Sequence, residues 1–343
     1  MRRLTRPPRI VTLCVRGATA RLQDDAERIA LLPEIVRALV ELPDWHPIDA
    51  VVLPGGFFRM AKALGATTFA QRRALVRGEQ FAIAARAAVG LLEGRSPGIR
   101  LVTGVLATPR DPTERTEQLS LAFSAHGLVG AARKIFPTAG DTEGRRFITP
   151  YIGDYSSPQR LFKLANGSTA ILNACYDLFG LADVGTEGTS RRNAIRRLLT
   201  RDGNLSHHDE GFLETRRASL AAWAKLIGEH RPDVALATIH GFIRPGIDGY
   251  WQRHGIARAS AAHTGALVAA GAHFRIGLPE PHASTLAACN VPASHIDAGL
   301  ERRAHPLLPI ASQLIERPEG LQGLLRLFTP LQARHAGPSG GGR

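Results

Sequence analysis

The segment Ala170-Ile171-Leu172-Asn173-Ala174-Cys175-Tyr176-Asp177 runs an apolar strand directly into a cysteine and leaves it through Tyr-Asp and a turn. A thiol at a strand end can project into a pocket while the next backbone N–H points to the same place. Nucleophile and oxyanion donor then share one rigid corner. Free cysteine is also among the most buried residue types, and that plainer reading suits Cys14 and Cys289, which lack such a setting. A second piece is Arg133-Lys134-Ile135-Phe136-Pro137, followed by Asp141-Thr142-Glu143-Gly144-Arg145-Arg146-Phe147. An ammonium ending a strand near a thiol favours the thiolate and then stabilises an anionic tetrahedral intermediate. Only four of the 43 basic residues are lysines, so position 134 does not follow from abundance. Glu143, nine residues on, is able to hydrogen-bond the ammonium or to accept a proton. A surface ion pair is the bland alternative for that spacing.

These residues need strand ends to hold them, and the pattern supplies strands alternating with helices. Strands are expected at Ile10–Val15, Asp49–Leu53, Leu101–Ala107, Gln118–Phe123 and Val129–Ile135, with helices at Leu31–Leu42 and, as one long element, Thr68–Leu92. Arg160–Leu164 and Ser168–Asn173, joined through Asn166-Gly167, read as a hairpin with a type I′ turn. Later strands are expected at Val234–Ile239, Ala266–Ala270, Ala272–Ile276 and Thr285–Ala288. Phe212–Glu229 sets Leu213, Leu220 and Ile227 at seven-residue spacing on one helix face, packed on its own domain. Neither repeat nor composition break divides the chain. The expected organisation is one domain over residues 1–330, with an inserted helical segment at about 183–232 and a disordered tail at 331–343.

Composition narrows the function classes. A chain of 343 residues with 44% hydrophobic and 21% charged residues can bury a large core, which excludes bulk disorder. No apolar run reaches the roughly 20 residues of a membrane span, and the basic start lacks the apolar segment of a secretory signal, so the expected location is cytoplasmic. The net charge of +13 raises the question of an anionic partner, yet the arginines are scattered and no aromatic-interleaved basic ribbon occurs. Three cysteines without a CxxC give neither a disulfide scaffold nor a zinc site. His207-His208-Asp209-Glu210 has no complementary ligand pair, and no phosphate loop is present. No metal or organic cofactor is expected.

Taken together, the Cys-Tyr-Asp strand end, Arg-Lys-Ile-Phe-Pro and Asp-Thr-Glu-Gly-Arg-Arg-Phe resemble the nitrilase superfamily of carbon–nitrogen hydrolases. Ala237-Thr238-Ile239-His240-Gly241 is similar to the end of that family's next pocket-lining strand, and Arg258-Ala259 to the helix that leads back into its core. The resemblance spans roughly residues 9 to 292 in matching order. It implies an α/β fold, the four-layer α-β-β-α sandwich of the nitrilase type, and a homodimer or larger homo-oligomer. It also implies a cysteine-dependent hydrolase for a small amide or nitrile. Cys175 would be the nucleophile, Lys134 and the backbone N–H of Tyr176 the oxyanion donors, Glu143 a proton-handling glutamate and His240 a pocket residue.

One departure stands out. After Ala50-Val51-Val52-Leu53-Pro54 the family carries a glutamate as general base, and here Gly55-Gly56 follow. A thiol with a pKa near 8.5 is only slightly ionised at neutral pH without assistance. Three readings stay open. Glu143 acts as base; another acid, such as Glu79 or Asp177, reaches the site; or hydrolysis is lost, leaving a binding or regulatory protein. An N-acyltransferase using the same thioester is a further alternative. The glycine pair is also expected to open room beside the thiol for a bulkier substrate.

Overall fold

The computed structural model of the chain describes residues 6–16, 25–43, 46–65, 68–108, 116–134, 157–175, 177–180, 210–240, 259, 263, 265–274, 288–289, 309–316 and 322–330. Along the chain these form β1 (Ile10–Arg16), α1 (Asp25–Val40), β2 (Ala50–Val52), β3 (Phe58–Met60), α2 (Phe69–Arg77), α3 (Gln80–Glu93), β4 (Arg100–Ala107), β5 (Glu117–Ser124) and β6 (Gly127–Arg133). There follow β7 (Leu161–Lys163), β8 (Thr169–Ala174), the single turn α4 (Asp177–Gly180), α5 (Glu210–His230), β9 (Val234–Ile239), β10 (Leu267–Phe274), β11 (Ala288–Cys289), β12 (Ala311–Glu316) and β13 (Gln322–Phe328).

The strands join in the order β6-β5-β4-β2-β1-β10-β9-β8-β7, and the sheet doubles over so that β5 and β6 come to lie against β8. Period-two alternation explains the layers. Val11, Leu13, Val51, Leu101, Val105, Leu119, Leu121 and Phe123 face outward onto α1 and α3. Ile10, Val52, Val102, Ala122 and Ala132 face inward, where they meet Leu172, Leu236, Leu267 and Ala269 from the other half. On the far side α5 buries Trp223, Leu226 and Ile227. The Trp223 ring packs edge-on against His263, whose Nε2 accepts from Asn173 Nδ2 on β8 at 3.3 Å. The chain is therefore an α/β protein layered α-β-β-α.

Several elements differ from the sequence expectation for local reasons. The expected single helix over Thr68–Leu92 is two. Gly78 closes α2 with its N–H on the Val76 carbonyl, Glu79 is extended, and α3 starts afresh. Conversely α1 runs straight through Pro33. Burial of Leu31, Leu32, Ile35 and Leu39 under the helix offsets a proline cost of about 3 kcal/mol. The two strands expected on either side of Gly271 are one, β10; a Cβ at Gly271 would fall 2.5 Å from the Val52 carbonyl oxygen. The β7–β8 turn places only Gly167 at positive φ (+89°), with its N–H on the Leu164 carbonyl. That is a three-residue loop closed by a glycine bulge rather than type I′. β3, β12 and β13 were not anticipated. Of the helical segment at 183–232, α5 lies inside the described residues, with Ile227 buried as its spacing predicts; the side chains of Leu213 and Leu220, the part before residue 210 and the tail at 331–343 lie outside what is described. No described helix is long and apolar enough to cross a membrane.

Candidate active site

β1, β2, β4, β8, β9 and β10 run parallel to one another, and β6, antiparallel to β5, which is antiparallel to β4, shares their direction. The carboxyl ends of all seven strands therefore meet at one rim. Gly55-Gly56 follow β2, Lys134 follows β6, Cys175 follows β8 and His240 follows β9. The carboxyl rim of a parallel sheet is where open α/β folds bind ligands.

Cys175 sits at a strained corner. Its φ is +52°, one of two non-glycine residues at positive φ among those described. Its N–H still donates to the Thr238 carbonyl on β9 at 2.9 Å, and the chain then turns at once into α4. A side chain held in the left-handed region at a strand-to-helix turn is lifted out of the sheet's alternation. The thiol is half-buried, whereas Cys14 is fully buried, with Arg326 Nη2 at 3.0 Å from its sulfur. Between these two, only Cys175 meets solvent.

Lys134 is 2% exposed and continues the β6 ladder, its N–H donating to Gln118 at 2.8 Å. Alternation from Ala132 puts it on the inward face. A buried guanidinium locks this strand end to the cysteine corner. Arg160 Nη2 donates to the Arg133 carbonyl at 2.7 Å and meets Asp177 Oδ2 at 3.3 Å, while Nη1 donates to the Leu172 carbonyl at 3.3 Å. One residue back, Arg133 turns outward to Glu117 Oε1 at 2.9 Å, and Glu117 Oε2 accepts from the Leu64 N–H at 2.6 Å.

The glycine pair is hemmed in rather than open. A Cβ on Gly55 would lie 2.6 Å from both the backbone nitrogen and Nδ1 of His240, and one on Gly56, at φ +60°, would lie 2.7 Å from His240 Nε2. From the other side, a Cβ on Gly104 would lie 2.3 Å from Gly55 Cα. The Gly55 N–H donates to the Ile239 carbonyl at 3.0 Å. The room expected over these glycines is thus filled by an imidazole. Arg28, buried on α1, fixes the same loop by donating to the Gly56 and Phe57 carbonyls, both at 2.7 Å. Burial, then the nearby Arg59, lowers its pKa to about 10, so it stays charged at neutral pH. Next to His240, His273 is pushed down to about 3 by burial first, then by His240 and Arg28.

The sequence-predicted residues Cys175, Lys134, His240, Gly55 and Gly56 all fall on this rim. Glu143 and Tyr176 lie outside the described residues. Of the other acids weighed as bases, Asp177 is buried and committed to Arg160, and Glu79 joins α2 to α3 in the helical layer. Arg160, Glu117, Arg28 and His273 were not singled out from sequence. For His273 the signal was present: alternation from Leu267 and Ala269 puts it inward at a strand end. Among the described residues no group of three or more His, Cys, Asp or Glu forms a metal site.

No family model matches the sequence, and no curated protein matches it. Among solved structures the chain is similar to an amidase from Nesterenkonia sp., at 15% identity and a TM-score of 0.47 over 94% of this chain and 90% of that one. A mutant of the Nesterenkonia AN1 amidase, described as from the nitrilase superfamily, gives 14% identity and a TM-score of 0.46 with the same coverage. Another mutant of the Nesterenkonia sp. AN1 amidase carries the acetamide moiety of fluoroacetamide on its active-site cysteine. It is 14% identical with a TM-score of 0.47, over 96% of this chain and 94% of that one.

Proposed function

We propose that this chain is a nitrilase-superfamily carbon–nitrogen hydrolase that cleaves a small amide through a thioester on Cys175. The observation that carries the reading is the Cys175 corner: a solvent-reaching thiol at positive φ on the rim to which the Lys134 strand also runs. In the first half-reaction the Cys175 proton passes to a base and the sulfur attacks the carbonyl carbon. The ammonium of Lys134 stabilises the oxyanion, with the backbone N–H of residue 176 as second donor. Each such donor is worth roughly 3–4 kcal/mol of transition-state stabilisation. As the tetrahedral species collapses, the C–N bond breaks and the nitrogen leaves with the base's proton. Water then attacks the thioester, releasing the acid and restoring the thiol. A homodimer or larger assembly belongs to the same reading.

Intact mass spectrometry after mixing with a panel of short amides and fluoroacetamide tests this. The expected result is a covalent adduct that is absent in Cys175→Ala, with ammonia released from the amides. An adduct resolved only when an amine is supplied identifies an N-acyltransferase. If no adduct forms and Cys175 alkylates no faster than Cys14, the enzyme reading fails and a binding protein remains.

A further inference from the structure

A thiol needs a proton acceptor, and the described rim offers few. Both of its buried carboxylates are engaged: Asp177 with Arg160, and Glu117 with Arg133 and the Leu64 N–H. No carboxylate reaches the thiol from β2, where glycines stand. What stands over those glycines is an imidazole. Ala174 pairs with Thr238, so Cys175 stands level with Ile239, one position before His240, on strands about 5 Å apart. Val234, Leu236 and Thr238 alternate inward along β9, and His240 follows the same face. Its ring lies against the Gly55-Gly56 backbone, close enough that either Cβ would touch a ring nitrogen. The ring thus occupies the volume that a side chain at 55 or 56 would need.

We propose that His240 is the general base and acid for Cys175, a Cys–His pair assembled from the ends of adjacent parallel strands. The inference rests on the thiol chemistry proposed above. A ring nitrogen of His240 takes the Cys175 proton as the C–S bond forms. The imidazolium then gives that proton to the departing nitrogen as the C–N bond breaks, and the same cycle activates water against the thioester. No redox step is involved, and water is the one co-reactant. His273 from β10 lies beside the imidazole, with Arg28 from α1 close to both; the other charged and titratable groups at the same rim are Lys134 after β6, Cys175 after β8 and the Arg160–Asp177 pair. Burial holds His273 down at about 3, so an inflection in the alkylation profile nearer neutrality would not report that residue.

The test is the pH dependence of Cys175 alkylation by iodoacetamide, read by peptide mass spectrometry in the wild-type full chain, His240→Gln and His240→Ala. Amide turnover is followed in parallel, with and without added imidazole. In the wild type, alkylation is expected to show an inflection between pH 5 and 7. In His240→Gln the profile should become a single rise near the ordinary thiol range of about 8.5. Turnover should fall at least 100-fold, and imidazole should restore at least tenfold in His240→Ala. A wild-type profile that already rises only near 8.5 overturns the proposal whether or not the variants fold. So does an unchanged profile in His240→Gln, even if amide adducts persist and the hydrolase reading stands. Should the profile shift while the wild type forms no amide adduct, the Cys–His pair holds and the hydrolase reading alone fails.

Discussion

Arg160 meets Asp177 at 3.3 Å with both side chains fully buried, and the same Nη2 holds the Arg133 carbonyl at 2.7 Å. One guanidinium thereby ties the residue before Lys134 to the residue two past Cys175. Replacing Arg160 with Met removes the guanidinium from a buried carboxylate and strips the Arg133 and Leu172 carbonyls of a donor. The expected cost is about 3–5 kcal/mol, against about 1–2 kcal/mol for Asp177→Asn, which keeps an acceptor. Urea unfolding of the two variants checks the ranking; an Arg160→Met loss below that of Asp177→Asn would contradict it.

Glu117 is the other buried acid near Lys134, and its contacts argue for a structural post. Glu117→Gln keeps an acceptor for the Leu64 N–H but leaves Arg133 without its counter-charge. We expect a loss of about 3 kcal/mol in unfolding free energy. Among molecules that remain folded, the pH profile of Cys175 alkylation should be unchanged. A displaced profile would make Glu117 part of the proton chemistry.

Three glycines separate close approach from mere flexibility. Gly104→Ala drives a Cβ to 2.3 Å from Gly55 Cα, and Gly55→Ala drives one to 2.6 Å from the His240 backbone nitrogen. Both collide with backbone, which cannot rotate away, so each should cost about 1–3 kcal/mol or more. Gly55→Glu should not supply a base, because the same collision precedes any carboxylate. By contrast Gly90, inside α3 with nothing within 4 Å of its Cβ position, should gain about 0.5–1 kcal/mol on change to Ala. Thermal unfolding of the three alanine variants gives the order directly.

How much of this was readable beforehand follows from how local each cause is. The apolar run from Val234 to Ile239 gives β9 with its observed bounds, and the apolar run into Cys175 gives the strand-end thiol. Lys134 was legible because lysine is scarce and ends a strand. The filled room over Gly55 was not, since nothing near residue 55 announces that residue 240 will lie against it. Arg160 was hidden for the same reason: its three partners lie 12 to 27 residues away. Splitting β10 at Gly271 misread a packing glycine as a break, because the close approach of Val52 exists only after folding.

Two buried histidines make stability fall in acid. His263 donates from Nδ1 to the Ala259 carbonyl at 2.6 Å and accepts from Asn173, and burial, its largest influence, lowers its pKa to about 4. His273 lies at about 3. In the unfolded chain both titrate near 6.5. Between that value and their folded pKa values the unfolded state binds protons that the native state refuses, so stability drops as pH falls through this window. Each histidine should account for about 2 kcal/mol between pH 7 and 5. Carboxylates add to the wild-type slope, so the difference between wild type and His263→Gln isolates one share. At pH 7 the variant should be less stable, having lost the Ala259 bond and the Trp223 ring contact. Its further loss on going to pH 5 should then be smaller than the wild type's by about 2 kcal/mol. Urea midpoints at the two pH values measure this, and equal losses in both proteins would show that His263 is protonated in the folded state.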